Sequence, residues 1–219
     1  MKIFACSDFH GARVIMDKLP LIAGDVDLIL LCGDICGKKI GEPTDDLPKF
    51  QRENIEYVCS ILDRTGTPYR YIYGNDDHIE TDLGNRLTEP EDICGYTFCP
   101  IERVLPTGKN TNRETSEQCI ADTLSSFPTG DRIIIVAHTP PYGVCDNANS
   151  GKHCGNTAAR RWIEESSPLA WFCGHIHEDF STAVIGSTRV FNCAVWLWEA
   201  NLRGWIFDTE TGEYRRVWL

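Results

Sequence analysis

The sequence predicts an α/β fold with parallel strands early and antiparallel strands late, and three observations carry that prediction. The runs 27–32 and Ile133–Ala137 are too continuously apolar for a one-sided sheet and read as strands covered on both faces. Segments with apolar residues at helical spacing lie between such runs. After Phe180 the pattern turns to short alternating segments broken by Gly186-Ser187 and Thr211-Gly212, which describes antiparallel strands. With 219 residues the chain can bury one large core, and residues 1–219 are read as a single domain.

The strands and helices follow in order. Lys2–Ser7 is an apolar strand ending in Asp8-Phe9-His10-Gly11. In extended backbone residues i and i+2 share a face, so Asp8 and His10 can reach one ion. Ala12–Leu19 suits a short helix closed by Pro20, and the next strand ends at Gly33-Asp34. This is a βαβ unit, so the two strands are parallel and their polar ends lie at the same sheet edge. A polar loop covers 37–48. Phe50, Ile55, Val58, Ile61 and Leu62 then mark a helix over 48–64, capped by Gly66.

Tyr69–Tyr73 is the third strand and ends in Gly74-Asn75-Asp76-Asp77-His78, a cluster that turn chemistry alone would also explain. Glu89–Arg113 reads as a hairpin followed by a long loop, and Thr115–Leu124 as helix. Ile133–Ala137 ends in His138-Thr139-Pro140-Pro141-Tyr142, followed by a loop whose one titratable base is His153. A helix over 157–165 turns Trp162 and Ile163 inward. Leu169–Cys173 ends in Gly174-His175-Ile176-His177, and the antiparallel segments 182–185, 189–193, 204–207 and 214–218 complete the chain. Trp196, Trp198, Trp205 and Trp218 read as core or interface packing.

Composition narrows the function classes. A formal charge of −11, from 32 acidic and 21 basic residues, argues against a sequence-independent grip on nucleic-acid phosphates. The chain starts directly on a strand, without a leader pattern or a membrane-length apolar stretch, so a cytoplasmic protein is expected. Its eleven cysteines lack the CxxC spacing of a zinc knuckle. Most are read as buried small hydrophobes, with a disulfide or two left open.

Five strands thus end in Asp8/His10, Asp34, Asn75, His138 and His175/His177, and these ends hold four of the six histidines. Shared carboxylate, amide oxygen and imidazole suit two borderline ions such as Mn, Fe, Zn or Co. Two such ions clamp an in-line displacement at phosphorus.

The motif series Asp8-Phe9-His10, Gly33-Asp34, Gly74-Asn75-Asp76-Asp77, His138, Gly174-His175-Ile176-His177 resembles that of the calcineurin-like metallophosphoesterases, in order and over nearly the whole chain. The resemblance implies a four-layer α/β/β/α sandwich with mixed sheets and a small phosphoester substrate. It also implies a ligand partition: Asp8, His10, Asp34 and His177 on one metal ion, and Asp34, Asn75, His138 and His175 on the other. One position departs from the family pattern. Asp76 stands where relatives carry a histidine that contacts phosphate and aids the leaving group. An ionised aspartate repels a dianionic monoester, so the expected reaction is attack of a metal-bridging hydroxide on a phosphodiester. His78 or His153 then takes over proton transfer, with His153 the first candidate beside its plainer reading as an exposed loop histidine. The competing readings are a catalytically weak or inactive member acting as a binding scaffold, and a nuclease of the same superfamily, which the acidic charge disfavours.

Overall fold

β1 (Lys2–Cys6) and β2 (Leu28–Cys32) are apolar on both faces because each face meets a different layer. Phe4, Cys6, Ile29 and Leu31 pack with Ile15, Ile22, Ile55, Val58 and Leu62 of the covering helices. Ile3, Ala5, Leu28 and Leu30 turn the other way, onto Phe98, Ile134, Val136 and Phe172 of a second sheet. That sheet is covered in turn by Ile120, Leu124, Trp162 and Ile163. The result is a four-layer α/β/β/α sandwich of mixed sheets. It is a computed structural model that describes residues 1–37, 46–109, 111–196 and 199–219.

The first sheet adds β3 (Tyr69–Ile72), β10 (Arg203–Asp208) and β11 (Tyr214–Trp218), in the order β11-β10-β1-β2-β3. The helices α1 (Arg13–Met16), α2 (Pro20–Ala23) and α3 (Leu47–Thr65) cover its outer face. The second sheet comprises β4 (Glu91–Ile93), β5 (Tyr96–Ile101), β6 (Ile133–Ala137), β7 (Ala170–Cys173), β8 (Thr182–Ile185) and β9 (Thr188–Asn192), ordered β4-β5-β6-β7-β9-β8. Its outer helices are α4 (Glu117–Ser125) and α5 (Thr157–Ser166). β1-β2-β3 and β5-β6-β7-β9 are parallel runs. Their C-terminal ends bring the polar clusters to one edge of the sandwich.

Three expectations change. The helix expected over 12–19 shrinks to α1, and a second short helix, α2, follows it, because Pro20 sits in the first turn of α2, where its missing N–H costs nothing, instead of closing α1. The late antiparallel block is split between the sheets: β10 and β11 extend the first sheet beside β1, whereas β9 pairs parallel with β7. Alternation reports which face is buried and not which strand lies alongside, so that pairing had no local signal. Trp205 and Trp218 behave differently, one buried and one exposed. Trp198 and most of the 37–48 loop lie outside the described residues. All eleven cysteines are free thiols, with Cys94 and Cys154 exposed and Cys119 half-buried.

Candidate metal centre

The loops leaving β1 and β2 run side by side, tied by Asp8 N–H to Gly33 O (2.9 Å), His10 N–H to Asp34 O (2.8 Å) and Gly11 N–H to Ile35 O (2.9 Å). Ser7 Oγ donates to Cys32 O at 2.9 Å and fixes where they begin. Asp8, His10, Asp34 and His175 all adopt left-handed backbone, with φ of 66°, 45°, 51° and 69°. Each such non-glycine residue costs about 1–3 kcal/mol, strain typical of functional sites. A Cβ on Gly174 would run into Ser7 and Asp8, and one on Gly74 into Asp34. Glycine at these points lets the strand ends approach until their side chains meet.

They meet in two groups. Asp8, His10 and His177 bring ligand atoms within 4.8 Å of one another, as do Asp34, His138 and His175. Asp34 Oδ2 lies 3.3 Å from His138 Nε2 and 3.7 Å from His10 Nε2, so one carboxylate reaches toward both groups. Asn75 Oδ1 is 3.1 Å from His138 Nε2. His177 Nε2 is 3.0 Å from Asp8 Oδ1 and 3.3 Å from His10 Nε2. The geometry places all seven sequence-named candidates in one cluster.

The donor chemistry fits cations. His138 Nδ1 lies 2.9 Å from Cys32 O, a pure acceptor, so it carries the proton and leaves the Nε2 lone pair facing the Asp34 and Asn75 oxygens. His10 and His177 likewise aim Nε2 at each other and at Asp8. Lone pairs pointed at one another require a proton or a metal ion between them, and ligand atoms 3.0–3.7 Å apart suit a shared ion bound at about 2.0–2.2 Å. Two ions fit, one per group, with Asp34 between.

Protons occupy this space when metal does not. Burial opposes charge on His138, but Asp34 prevails and pushes the imidazole up to about 10. His177 is raised too, burial again opposing and Asp8 prevailing. Asp34 falls well below the carboxylate range against its burial, through His138 and His10, and Asp8 falls to about 2 through His177. Burial and the charge on His138 push His175 down to about 4. A protonated histidine cannot ligate, so loading expels protons and rising pH favours it. Calorimetry with Mn²⁺ should show proton release and affinity higher at about pH 8 than at about pH 6, roughly tenfold per pH unit for each proton displaced; equal affinities would contradict the arrangement.

The cluster floors a cleft of about 760 Å³. Asp76 lines it, a quarter exposed, with Oδ2 3.7 Å from His10 Nδ1 and its N–H donated to Asp34 Oδ1 at 2.7 Å. With His10 and Asp34 it forms a third group of ligand atoms within 4.8 Å. His153 also lines the cleft, whereas His78 does not: its N–H is held by Gln51 Oε1 at 2.6 Å, behind the site. Lys109 is the one Lys or Arg lining the cleft among the described residues, in a lining that also holds Asp34, Asp76, Glu117 and Glu178. Trp196, expected as packing, also lines it.

The calcineurin-like phosphoesterase family model matches residues 1–179. The chain belongs to that family. An uncharacterised protein of Methanocaldococcus jannaschii is 27% identical over 202 residues, covering 88% of this chain and 87% of its own. A dimetal phosphatase from Danio rerio superposes with a TM-score of 0.58 at 11% identity, over 100% of this chain and 92% of the other. A structure described as a novel archaeal phosphodiesterase gives 0.52 at 14% identity, over 100% of both. At such identities the structural likenesses speak for the fold. The family uses dinuclear divalent metal centres and acts on small phosphoesters, in keeping with the donor set above.

The residues that hold the ligand loops are mostly ones to which the motif pattern gives no role. Asp77 is fully buried and accepts from Cys36 N–H (2.7 Å), Ile35 N–H (3.1 Å) and Gly74 N–H (2.9 Å), clamping the Asp34 loop to the Asn75 loop. Gln51 on α3 donates to Gly37 O and Asp76 O. Arg113 donates to Asp77 O, Ile79 O and Glu102, and Glu102 accepts the N–H of Tyr73 at 2.9 Å. Asp77 stood in the motif series without a role of its own, and Gln51, Arg113 and Glu102 drew no reading from the sequence. No helix among the described residues is long and apolar enough to cross a membrane.

Proposed function

We propose that residues 1–219 form one catalytic unit that hydrolyses a small phosphodiester in preference to a monoester, using two divalent metal ions. Asp8, His10, Asp34 and His177 would hold one ion, and Asp34, Asn75, His138 and His175 the other. The observation that carries this reading is the convergence of opposed lone pairs on Asp34 from five strand ends. When bound, the ions supply Lewis-acid polarisation of a phosphoryl oxygen and lower the pKa of a coordinated water, which makes hydroxide available as nucleophile near neutral pH. The protein's own groups do the rest. Asp34 and Asp8 set the local negative charge, His138 keeps its tautomer through Cys32 O, and His153 on the cleft rim is placed to serve the leaving group.

Asp76 sets the preference for diesters. Its carboxylate lines the cleft beside His10 and Asp34, where the second charge of a monoester dianion costs roughly 1–4 kcal/mol at near-contact distance. With Mn²⁺, kcat/KM for bis-p-nitrophenyl phosphate should exceed that for p-nitrophenyl phosphate by at least about tenfold. Asp76→His should narrow the gap; a strong monoester preference in the wild type would overturn the argument. The acidic cleft with Lys109 as its lining cation supports a small substrate, such as a nucleotide-derived ester, over a polynucleotide.

A further inference from the structure

The loop between β6 and α5 contains a carboxylate that the reading above leaves without a task. Asp146 is fully buried. Its Oδ2 accepts the N–H groups of Gly143 and Gly155, each at 2.9 Å, and its Oδ1 meets His153 Nδ1 at 2.7 Å. One side chain therefore closes the loop at both ends and grips the imidazole between them. The His153 side chain is 40% exposed, its ring centroid 5.4 Å from that of Tyr142, and it lines the same cleft as His10, Asp34 and Asp76. A carboxylate that already accepts two backbone amides can only accept again, so Nδ1 carries the proton. Nε2, on the opposite edge of the ring, is left for the cleft.

We propose that Asp146 is the positioning residue that makes His153 a directed proton donor to the leaving group, a role that rests on the hydrolase reading above. In this step a water oxygen forms the new bond to phosphorus as the bond to the leaving oxygen breaks. The bonding pair stays on the leaving oxygen, which takes the Nε2 proton of a His153 imidazolium that carries protons on both ring nitrogens. The water's proton goes to solvent, neutral His153 keeps Nδ1–H on Asp146, and Nε2 is reprotonated from solvent. Ester and water become acid and alcohol, with no other reactant.

Asp146→Asn isolates this role. Gly143 and Gly155 still demand an oxygen, so the amide turns its NH₂ toward His153 and forces Nδ1 to accept, which moves the neutral ring's proton to Nε2 and reverses the tautomer, as a buried Asp-to-Asn change does in catalytic triads. Long-range ¹⁵N–¹H spectra of His153 read the tautomer directly, without substrate. Turnover of methyl phenyl phosphate, whose leaving group needs a proton, should fall by about 10² or more, while methyl p-nitrophenyl phosphate changes by less than about threefold. Metal content should remain as in the wild type. Equal loss on both esters, loss on neither, or an unchanged tautomer overturns the proposal alone. A metal-loaded wild type that cleaves no phosphoester overturns the hydrolase reading and this step with it.

Discussion

Asp34→Ala is expected to abolish hydrolysis while the sandwich remains folded. Among the described residues, Asp34 is the one whose carboxylate reaches toward both ligand groups, through His138 at 3.3 Å and His10 at 3.7 Å. Under the proposed partition, removing any other ligand would weaken one ion, whereas removing this one would loosen both. Changes to residues that merely support ligands cost about 10–100-fold, so loss of the shared ligand should lower kcat by more than about 10³-fold. Metal content per chain, measured on protein dialysed with Mn²⁺, should drop well below that of the wild type. The metal-free variant should melt below the wild type, because His138 loses its buried partner and the Asp76 N–H its acceptor, but the three apolar clusters are untouched and the sandwich still folds. Retention of two tightly held ions by Asp34→Ala would remove the bridge from the account.

Asp77→Ala is expected to act in the opposite way, by weakening the fold first. Three backbone N–H groups from two loops, those of Ile35, Cys36 and Gly74, converge on this buried carboxylate. Burial and the nearby charge of Asp34 push Asp77 up to about 6, so the three amides only partly offset the cost of keeping it charged. Leaving them without an acceptor costs about 1–3 kcal/mol each, less where water enters, for a total of about 3–5 kcal/mol. In a chain of this size that corresponds to a melting temperature lower by roughly 8–15 °C. Asp77→Asn keeps one oxygen for Ile35 and Gly74 but turns an NH₂ against Cys36, and should lose about half as much. Metal affinity should fall with stability, because the clamped loops carry Asp34 and Asn75. A melting temperature within about 2 °C of wild type would mean that the loops hold themselves.

These two aspartates illustrate what sequence does and does not display. Asp34 was legible because a doubly covered strand that stops at Gly-Asp places its charge at the sheet edge, and the same logic applied to Asp8, His138 and His175. The strands themselves were legible from unbroken apolar runs, and α3 from its stripe and its Gly66 cap in left-handed conformation, φ 72°. Asp77 stood in a motif that also read as turn chemistry and showed no role of its own, since its partners Ile35 and Cys36 lie some forty positions away in sequence and are backbone groups that carry no identity. Asp146 was hidden for the same reason. His78 and His153 looked alike as residues, and only the fold sets one behind the site and the other on the cleft. The parallel pairing of β7 with β9 was equally out of reach, because the choice of neighbour is settled by packing between sheets.

Anomalous diffraction from crystals grown with Mn²⁺ tests the binuclear cage most directly. The account predicts two peaks about 3.5–4 Å apart, with the Asp34 carboxylate between them, His10 and His177 beside one and His138 and His175 beside the other. A single peak, or ions bound away from Asp34, would contradict it.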